Sequence, residues 1–165
     1  MITAIGINLK INLYFGQRFE KMEEKNMNNE FILQSLTFKL SLDFNVFKSD
    51  IAYPSNTILS VSVSSAGFSA STTMDVDIKE IAKFCDELEQ LYSSLKGSTK
   101  ICEPFGNRQY ICFSGDGRGH ILISGILNSN GLNGFWQELK FENSVDQTCL
   151  PSFLDELTAY VSQFL

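Results

Sequence analysis

The sequence predicts one α+β domain with a mainly antiparallel β-sheet and two main helices. Apolar and polar residues alternate in several segments, which is typical of half-buried strands. Two other segments carry apolar residues at helical spacing, and short connections rich in turn residues separate the later strands. The order strands, helix, strands, helix lacks regular crossover helices, which favours antiparallel pairing. With 44% apolar and 19% charged residues, the chain is neither disordered nor a coiled coil.

The first predicted strand lies in residues 36–44, where Leu and Phe occupy every second position and polar residues lie between them. This period of two predicts a strand with one buried face. Residues 45–56 are expected to form a loop. Within it, Pro54 holds the preceding Tyr53 in an extended conformation, because the proline ring disfavours a helical backbone there.

A second strand is predicted at residues 59–63, where Leu and Val alternate with Ser. The pair Gly67-Phe68 predicts a bulge or a bend, since glycine inside a strand pattern often marks one. A third strand is then expected over residues 68–74.

The clearest helix is predicted over residues 77–96. Asp77 can cap it, and Glu80 follows at capping-box spacing. Gly97 lies where a glycine beyond the helix end is expected. One apolar face follows the spacing of three and four residues and consists of Ile78, Ile81, Ala82, Cys85, Leu88, Leu91, Tyr92 and Leu95.

The second half of the chain predicts an antiparallel meander followed by a helix. The meander strands are expected at residues 100–103, 109–113, 119–127 and 135–141. Glycine, proline, asparagine and aspartate fill their short connections, as tight turns require. The last helix is predicted over residues 151–164, with Pro151 in its first turn.

The N-terminal segment is expected to lie outside the domain. Residues 2–15 are apolar, but they lack the positive start and the cleavage site of a signal peptide. Residues 22–26 can be encoded by a purine-rich sequence that resembles a ribosome-binding site just before the Met27 codon. We therefore expect translation to start at Met27, with residues 1–26 as a non-native leader and residues 27–165 as the domain.

Composition excludes several classes of function. With 13 basic and 19 acidic residues, the chain has a net charge of −6 and lacks the basic surface that nonspecific nucleic-acid binding needs. No apolar stretch approaches the roughly 20 residues of a membrane span. The four cysteines form no CxxC pair and are expected to be reduced thiols in a cytoplasmic protein, although disulfides stay open. A single histidine excludes a multi-histidine metal site, and neither a metal nor a cofactor is predicted.

His120 is the one candidate for acid–base chemistry, with Asp116 near enough in sequence to orient it. A general base also needs a nucleophile, and the sequence signals none. A structural hydrogen bond at the strand end is the better interpretation. The glycine-rich segment 115–119 precedes a strand instead of a helix, so a hairpin turn is favoured over phosphate binding. Likewise, Asp75 and Asp77 fit helix capping better than a calcium loop.

Negative charge is concentrated on the predicted helices. Residues 75–96 hold six acids and three bases, whereas residues 1–74 balance to zero. The last helix carries Asp155 and Glu156 and no base. Two solvated helix faces would explain this pattern, and so would an acidic surface that docks on a basic protein.

A set of short signatures occurs in one order along the chain. They are Tyr53-Pro54, Leu59-Ser60-Val61-Ser62-Val63, Gly67-Phe68-Ser69, Ile81-Ala82-Lys83-Phe84, Gly119-His120-Ile121, Leu139-Lys140-Phe141 and Asp146-Gln147-Thr148. This order, over residues 31–164, resembles the WapI-like immunity family of small bacterial proteins. Its most specific pieces are Gly119-His120-Ile121 and Asp146-Gln147-Thr148.

The resemblance implies a non-catalytic protein that neutralises the toxic C-terminal domain of a wall-associated or other polymorphic toxin in the cytosol. Such toxin domains are often basic nucleases, which an acidic partner complements. The candidate toxin-binding residues are Glu80, Asp86, Glu87, Glu89, Asp116, Asp155 and Glu156. Asp146 and Gln147 are expected to be structural, with the carboxylate accepting hydrogen bonds where the last helix begins. Two alternatives stay open: a scaffold or adaptor domain for another protein, and a small hydrolase that uses His120 with Asp116.

Overall fold

The computed structural model describes residues 29–105, 108–131 and 133–165. The expected leader at residues 1–26 and the start at Met27 lie outside the described residues. The strands are β1 (Glu30–Gln34), β2 (Phe38–Val46), β3 (Thr57–Ser65), β4 (Phe68–Val76), β5 (Ser98–Cys102), β6 (Tyr110–Gly115), β7 (His120–Asn130) and β8 (Trp136–Asp146). The helices are α1 (Ile78–Ser94) and α2 (Leu150–Val161), with 3₁₀ turns at Lys48–Asp50, Gln147–Cys149 and Ser162–Phe164.

The strands form two antiparallel meanders, which confirms the predicted fold class. The first sheet has the order β1-β2-β3-β4 and the second sheet has the order β5-β6-β7-β8. Helix α1 connects the two sheets, and α2 follows the last strand. Each strand pairs with its neighbours in sequence, as short connections favour.

The start of the first sheet differs from the sequence prediction. Strand β1 was not expected, and the strand predicted from residue 36 begins only at Phe38. The Ser35 N–H donates to the Phe38 carbonyl over 2.8 Å and closes a tight turn between β1 and β2. Leu36 lies in that turn and is fully exposed. The period-two pattern therefore ran through a turn, because the pattern alone cannot show where pairing stops.

The pair Gly67-Phe68 was predicted to mark a bulge or a bend before the third strand, and the structure has a hairpin turn there, directly before β4. Ala66 and Gly67 have φ angles of 48° and 92°, so both central residues are left-handed. This is the backbone of the two-residue turns that match the twist of paired strands. Ser65 and Phe68 pair directly across it.

Helix α1 begins as predicted and ends differently. The Asp77 carboxylate accepts a hydrogen bond from the Lys79 N–H, which caps the first turn. Leu95, not the glycine, takes the left-handed conformation that ends the helix, and its N–H donates to the Leu91 carbonyl. Gly97 is also left-handed, with φ of 93°, and its carbonyl accepts from the Gly115 N–H. Gly97 therefore lies in the turn between α1 and β5, where its carbonyl bonds to β6.

Aromatic rings join the helices to the sheets. Phe84 of α1 and Phe153 of α2 contact Phe113 of β6, with ring centroids 5.4 and 6.4 Å away. Tyr160 of α2 lies 5.3 Å from Phe31 of the first sheet. The core consequently lies between the helices and the inner faces of both sheets.

Polar contacts join the sheets where their edges approach. The Thr72 hydroxyl donates to the Asn128 carbonyl over 2.8 Å. The Gln109 side chain donates to the Thr73 carbonyl over 3.1 Å and accepts from the Asn128 N–H. Nearby, Asn143 donates to the Ser65 hydroxyl. Side chains therefore connect the sheets at a place where strand pairing does not.

Candidate functional site

The turn between β6 and β7 is organised by Asp116. Its carboxylate accepts hydrogen bonds from the N–H groups of Arg118 and His120, over 2.6 and 3.1 Å. The second oxygen lies 3.1 Å from Nδ1 of His120. These contacts, the Arg118 N–H above all, lower the pKa of Asp116 below its ordinary value. The carboxylate is thereby used to hold the turn.

The structure brings together the two most specific signatures of the sequence. His120 pairs directly with Asp146 across β7 and β8. Beside this pair, the Gln147 N–H donates to the Gly119 carbonyl over 2.9 Å. The Asp146 carboxylate accepts from the Thr148 N–H and hydroxyl over 2.9 and 2.7 Å. These two bonds lower the pKa of Asp146, and they start the turn that leads into α2.

The same turn contacts the end of α1. The Gly117 N–H donates to the Leu95 carbonyl over 2.9 Å. Gly115 lies so close that a Cβ placed on it would be 2.2 Å from the Leu95 oxygen. The turn is therefore fixed between the C-terminal end of α1 and the segment before α2. Asp116 is exposed at this junction.

Two of the four thiols, Cys85 and Cys112, are held in the neutral form. Burial raises the pKa of Cys85 to about 11 and also raises the pKa of Cys112. Both shifts favour the neutral thiol, which is the unreactive form. All four cysteines are free. Within the described ranges, three or more His, Cys, Asp or Glu side chains nowhere gather as a metal site would require.

The Tyr53-Pro54 signature lies in a loop held by a buried residue that the sequence analysis missed. Asn56 is 1% exposed. Its amide donates to the carbonyls of Ile51 and Tyr53 and to the Asp77 carboxylate. Its oxygen accepts from the Ile78 N–H over 2.9 Å. Asn56 thus attaches the loop to the start of α1, and an asparagine in a polar loop carries no sequence signal for such burial.

The candidate acids of the helices lie at the surface but have different surroundings. Glu80, Asp86 and Glu89 are exposed on α1. Glu87 is partly buried, because one oxygen accepts from the Thr99 hydroxyl over 2.6 Å and the other lies 3.9 Å from Lys83. Glu87 therefore also anchors α1 to β5.

The acids of α1 border two different depressions. Glu80 and Glu87 line a depression of about 340 Å³ between α1 and β5, which also contains Lys83 and Lys100. Asp86 and Glu89 line another one with Gln90, Ser93 and Ser94 and no basic residue. On α2, Asp155 and Glu156 are exposed. The purely acidic part of α1 is consequently the surface around Asp86 and Glu89.

A third concave surface lies at the meeting of the two sheets, where no site residue was predicted. We call it the β4 cleft: residues 68–72 of β4, 127–129 of β7 and 137–139 of β8 enclose about 360 Å³. Serine and threonine alternate here with apolar residues, a pattern that sequence alone explains as an ordinary strand.

The comparison with known families identifies the chain. The sequence model of the family described as "Immunity protein WapI-like family" matches residues 31–165. The chain belongs to the WapI-like immunity family. The match covers both sheets and both helices, and it confirms the resemblance carried by the signatures at Gly119 and Asp146. A search of curated protein sequences gives no significant match.

Membership in the WapI-like family supports a role as an immunity protein, whose partner is a cognate toxin protein. None of the helices in the described part of this WapI-like chain is long and apolar enough to cross a bilayer.

Proposed function

We propose that this WapI-like immunity protein binds the basic C-terminal domain of a cognate toxin in the cytosol and blocks it without catalysis. The family match over residues 31–165 is the observation that carries the proposal. We further propose that the toxin domain is a nuclease, whose basic surface for the nucleic-acid backbone is covered by acidic side chains of the immunity protein.

The charge distribution supports a basic partner. The chain has a net charge of −6, and residues 75–96 alone hold six acids and three bases. Asp86 and Glu89 form a patch of negative charge on α1, and Asp155 and Glu156 add exposed charge on α2. Complementary charge accelerates encounter and selects the partner more than it lengthens the life of the complex.

The test measures association of the protein with the purified C-terminal domain of the toxin encoded immediately upstream of its gene. We expect nanomolar binding and loss of the toxin's nuclease activity at a one-to-one ratio. The association rate should fall as salt rises, since the screening length drops from about 10 Å at 0.1 M to about 3 Å at 1 M.

Charge-reversal variants identify the surface that makes the association rate depend on salt. Glu89→Lys and Asp86→Lys should flatten the salt dependence of the association rate. The matched control is Asp50→Lys, which makes the same charge change at an exposed 3₁₀ turn. An association rate that does not respond to salt, or an equal response of all three variants, would contradict an acidic docking surface on α1.

The Asp116–His120 contact of 3.1 Å is the observation that favours the hydrolase alternative. His120→Ala separates the two functions. An immunity protein should keep toxin inhibition in this variant, whereas a hydrolase would lose a measurable turnover while the fold stays intact.

A further inference from the structure

The open edge of the first sheet borders the β4 cleft. β4 is the last strand of that sheet and pairs with β3 alone among the described residues. Its later part is covered, since the Thr73 carbonyl accepts from the Gln109 side chain. Its earlier part, residues 68–72, lines the cleft, and of these residues Thr72 donates through its hydroxyl to the Asn128 carbonyl of β7.

The direction of the backbone groups follows from the same contact. The Thr73 carbonyl points away from β3, since it accepts a hydrogen bond from the side chain of Gln109, which directly precedes β6. In an antiparallel pair, residues alternate between those bonded to the partner strand and those whose groups point outward. Ser69 and Ser71 have the same parity as Thr73, so their N–H and C=O groups also face outward. The short contact of 2.8 Å between the Ser71 and Ser62 hydroxyls agrees, since side chains come closest at non-hydrogen-bonded pairs.

This edge lacks the protection that free strand edges usually carry. Charged residues on edge strands discourage pairing with another chain. Among the other edge strands, β1 contains Glu30 and β5 contains Lys100, and β8 contains Glu138, Lys140 and Glu142. In contrast, residues 51–74 include no Asp, Glu, Lys or Arg, and the first charge on β4 is Asp75.

The cleft beside the edge has the chemistry of a strand-binding groove. The half-buried Ala70 and Leu139 supply apolar surface, and Glu138 is the single charged residue among the residues that line the cleft. Phe68 at the end of the edge is 69% exposed, a high value for so large an apolar side chain. An extended segment would gain main-chain hydrogen bonds from β4 and side-chain contacts from the cleft.

We propose that an extended segment of the cognate toxin domain adds to the first sheet as a strand beside Ser69 and Ser71, with a lysine or arginine of that segment at Glu138. The proposal rests on the proposed function, which supplies a basic protein partner. In this proposal the contacts at the β4 edge set the dissociation rate of the complex, whereas the acidic residues of α1 set the association rate.

Hydrogen exchange on the unaltered chain of 165 residues gives the first test. Binding of the toxin's C-terminal domain should slow exchange of the Ser69 and Ser71 amides by at least about tenfold. Exchange that is unchanged at both amides while the toxin is fully inhibited would overturn strand addition. Binding without inhibition, or no binding at all, would instead refute the proposed function.

Ser71→Pro gives the second test, because proline removes the outward N–H but leaves the bonds to β3, and edge strands tolerate it. The dissociation constant should rise at least about tenfold, the equivalent of 1.4 kcal/mol. Ser71→Ala is the matched control, which removes the hydroxyl and keeps the N–H. Ile32→Pro on the opposite edge strand β1 is the second control. Both controls should bind within about twofold of the unaltered protein.

Glu138→Lys keeps the proposal falsifiable if the proline variant does not fold, since Glu138 is exposed on β8. It should speed dissociation of the toxin domain. Normal dissociation from a folded Ser71→Pro or Glu138→Lys variant would overturn the proposal. Two other results would also overturn it. A dimer of this chain in solution would assign the edge to a second copy. Slow exchange of the Ser69 and Ser71 amides before toxin is added, lost when the protein starts at Met27, would assign the edge to the chain's own N-terminal residues.

Discussion

The two sheets share one topology but differ in how closely their backbones are approached. On the inner face of the first sheet, buried Leu, Val and Phe side chains fill the space. In the second sheet, Gly115 and Gly125 have no side chain, so atoms of other residues lie directly against their backbone. A Cβ on Gly125 would lie 2.4 Å from the Tyr110 oxygen and 2.7 Å from the Phe141 ring. Both sheets bury apolar side chains, and in the second sheet two glycines also let other atoms lie against the backbone.

The sheets also differ in their attachment to the helices. In the second sheet, Phe113 contacts one ring of each helix, Phe84 of α1 and Phe153 of α2. The first sheet meets α2 through Tyr160, and its loop is bound to α1 by Asn56. Both sheets thus contact a helix through aromatic rings. We call Phe113 the apolar anchor of the second sheet and Asn56 the polar anchor of the loop in the first sheet, and loss of each should affect a different part of the molecule.

The largest expected effect is at the apolar anchor. Phe113→Ala removes a fully buried ring that joins two helices to the second sheet, and should lower the free energy of unfolding by about 3 to 5 kcal/mol. Urea denaturation measures this loss. The control Phe68→Ala removes an exposed ring and should change stability by less than about 0.5 kcal/mol.

The polar anchor should come next. Asn56→Ala leaves the Ile78 N–H and the carbonyls of Ile51 and Tyr53 without their partner, and should cost about 2 to 3 kcal/mol. Asn45→Ala, at an exposed position on β2, is the control. Amide exchange in residues 51–53 should accelerate in Asn56→Ala and not in the control. If both variants unfold at the same urea concentration, the loop does not depend on the amide.

Adding one methyl group tests how closely other atoms approach the backbone of the second sheet. Gly125→Ala forces a Cβ against the Tyr110 carbonyl, so we expect a loss of about 1 to 3 kcal/mol. At Gly131, a Cβ would lie 3.4 Å from its nearest neighbour, and Gly131→Ala should be almost neutral. A Gly125→Ala variant as stable as the unaltered protein would show that the backbone of the second sheet can yield.

The smallest effect concerns the turns. The Ala66-Gly67 turn of the first sheet has no titratable group, whereas the turn of the second sheet depends on Asp116. The folded state lowers the pKa of Asp116, mainly through the Arg118 N–H. Its contribution to stability is therefore present above the ordinary carboxyl pKa near 3.8 and is lost as pH falls through the lowered value.

Acid titration checks this sign. As pH falls below about 4, the melting temperature of the unaltered protein should decrease more than that of the Asp116→Asn variant. Gly67→Ala is the matched turn variant and should show the same acid response as the unaltered protein. A carboxyl resonance of Asp116 that titrates above its ordinary range would contradict the hydrogen bonds of the turn.

Local patterns predicted most elements but not the sheet boundaries. The α1 face and its Asp77 cap could be read from spacing, because helix formation depends on neighbours within one turn. The run at residues 36–44 placed Leu36 inside a strand, although a hydrogen bond between Ser35 and Phe38 closes a turn there. Alternation reports the side of a strand a residue faces, and it does not report where the partner strand ends.

The candidate sites show the same limit. The signatures at Gly119-His120 and Asp146-Gln147-Thr148 marked the family, but their contact through Gly119 and Gln147 became visible only in the folded chain. The acids of α1 were found from sequence, since charge on a helix face is local. The sequence did not show that Glu87 differs from Asp86 and Glu89 in its surroundings, because that difference depends on the hydrogen bond from Thr99 of β5.

Composition and spacing within segments were enough to predict the fold class, the two helices and the acidic helix faces. The order of short signatures along the chain carried the resemblance to the family, which the family match confirms. The division into two sheets, the burial of Asn56 and the outward direction of the Ser69 and Ser71 backbone groups became visible only in the folded chain. These features depend on which strands and side chains pair, and packing selects those hydrogen-bond partners where local propensity does not.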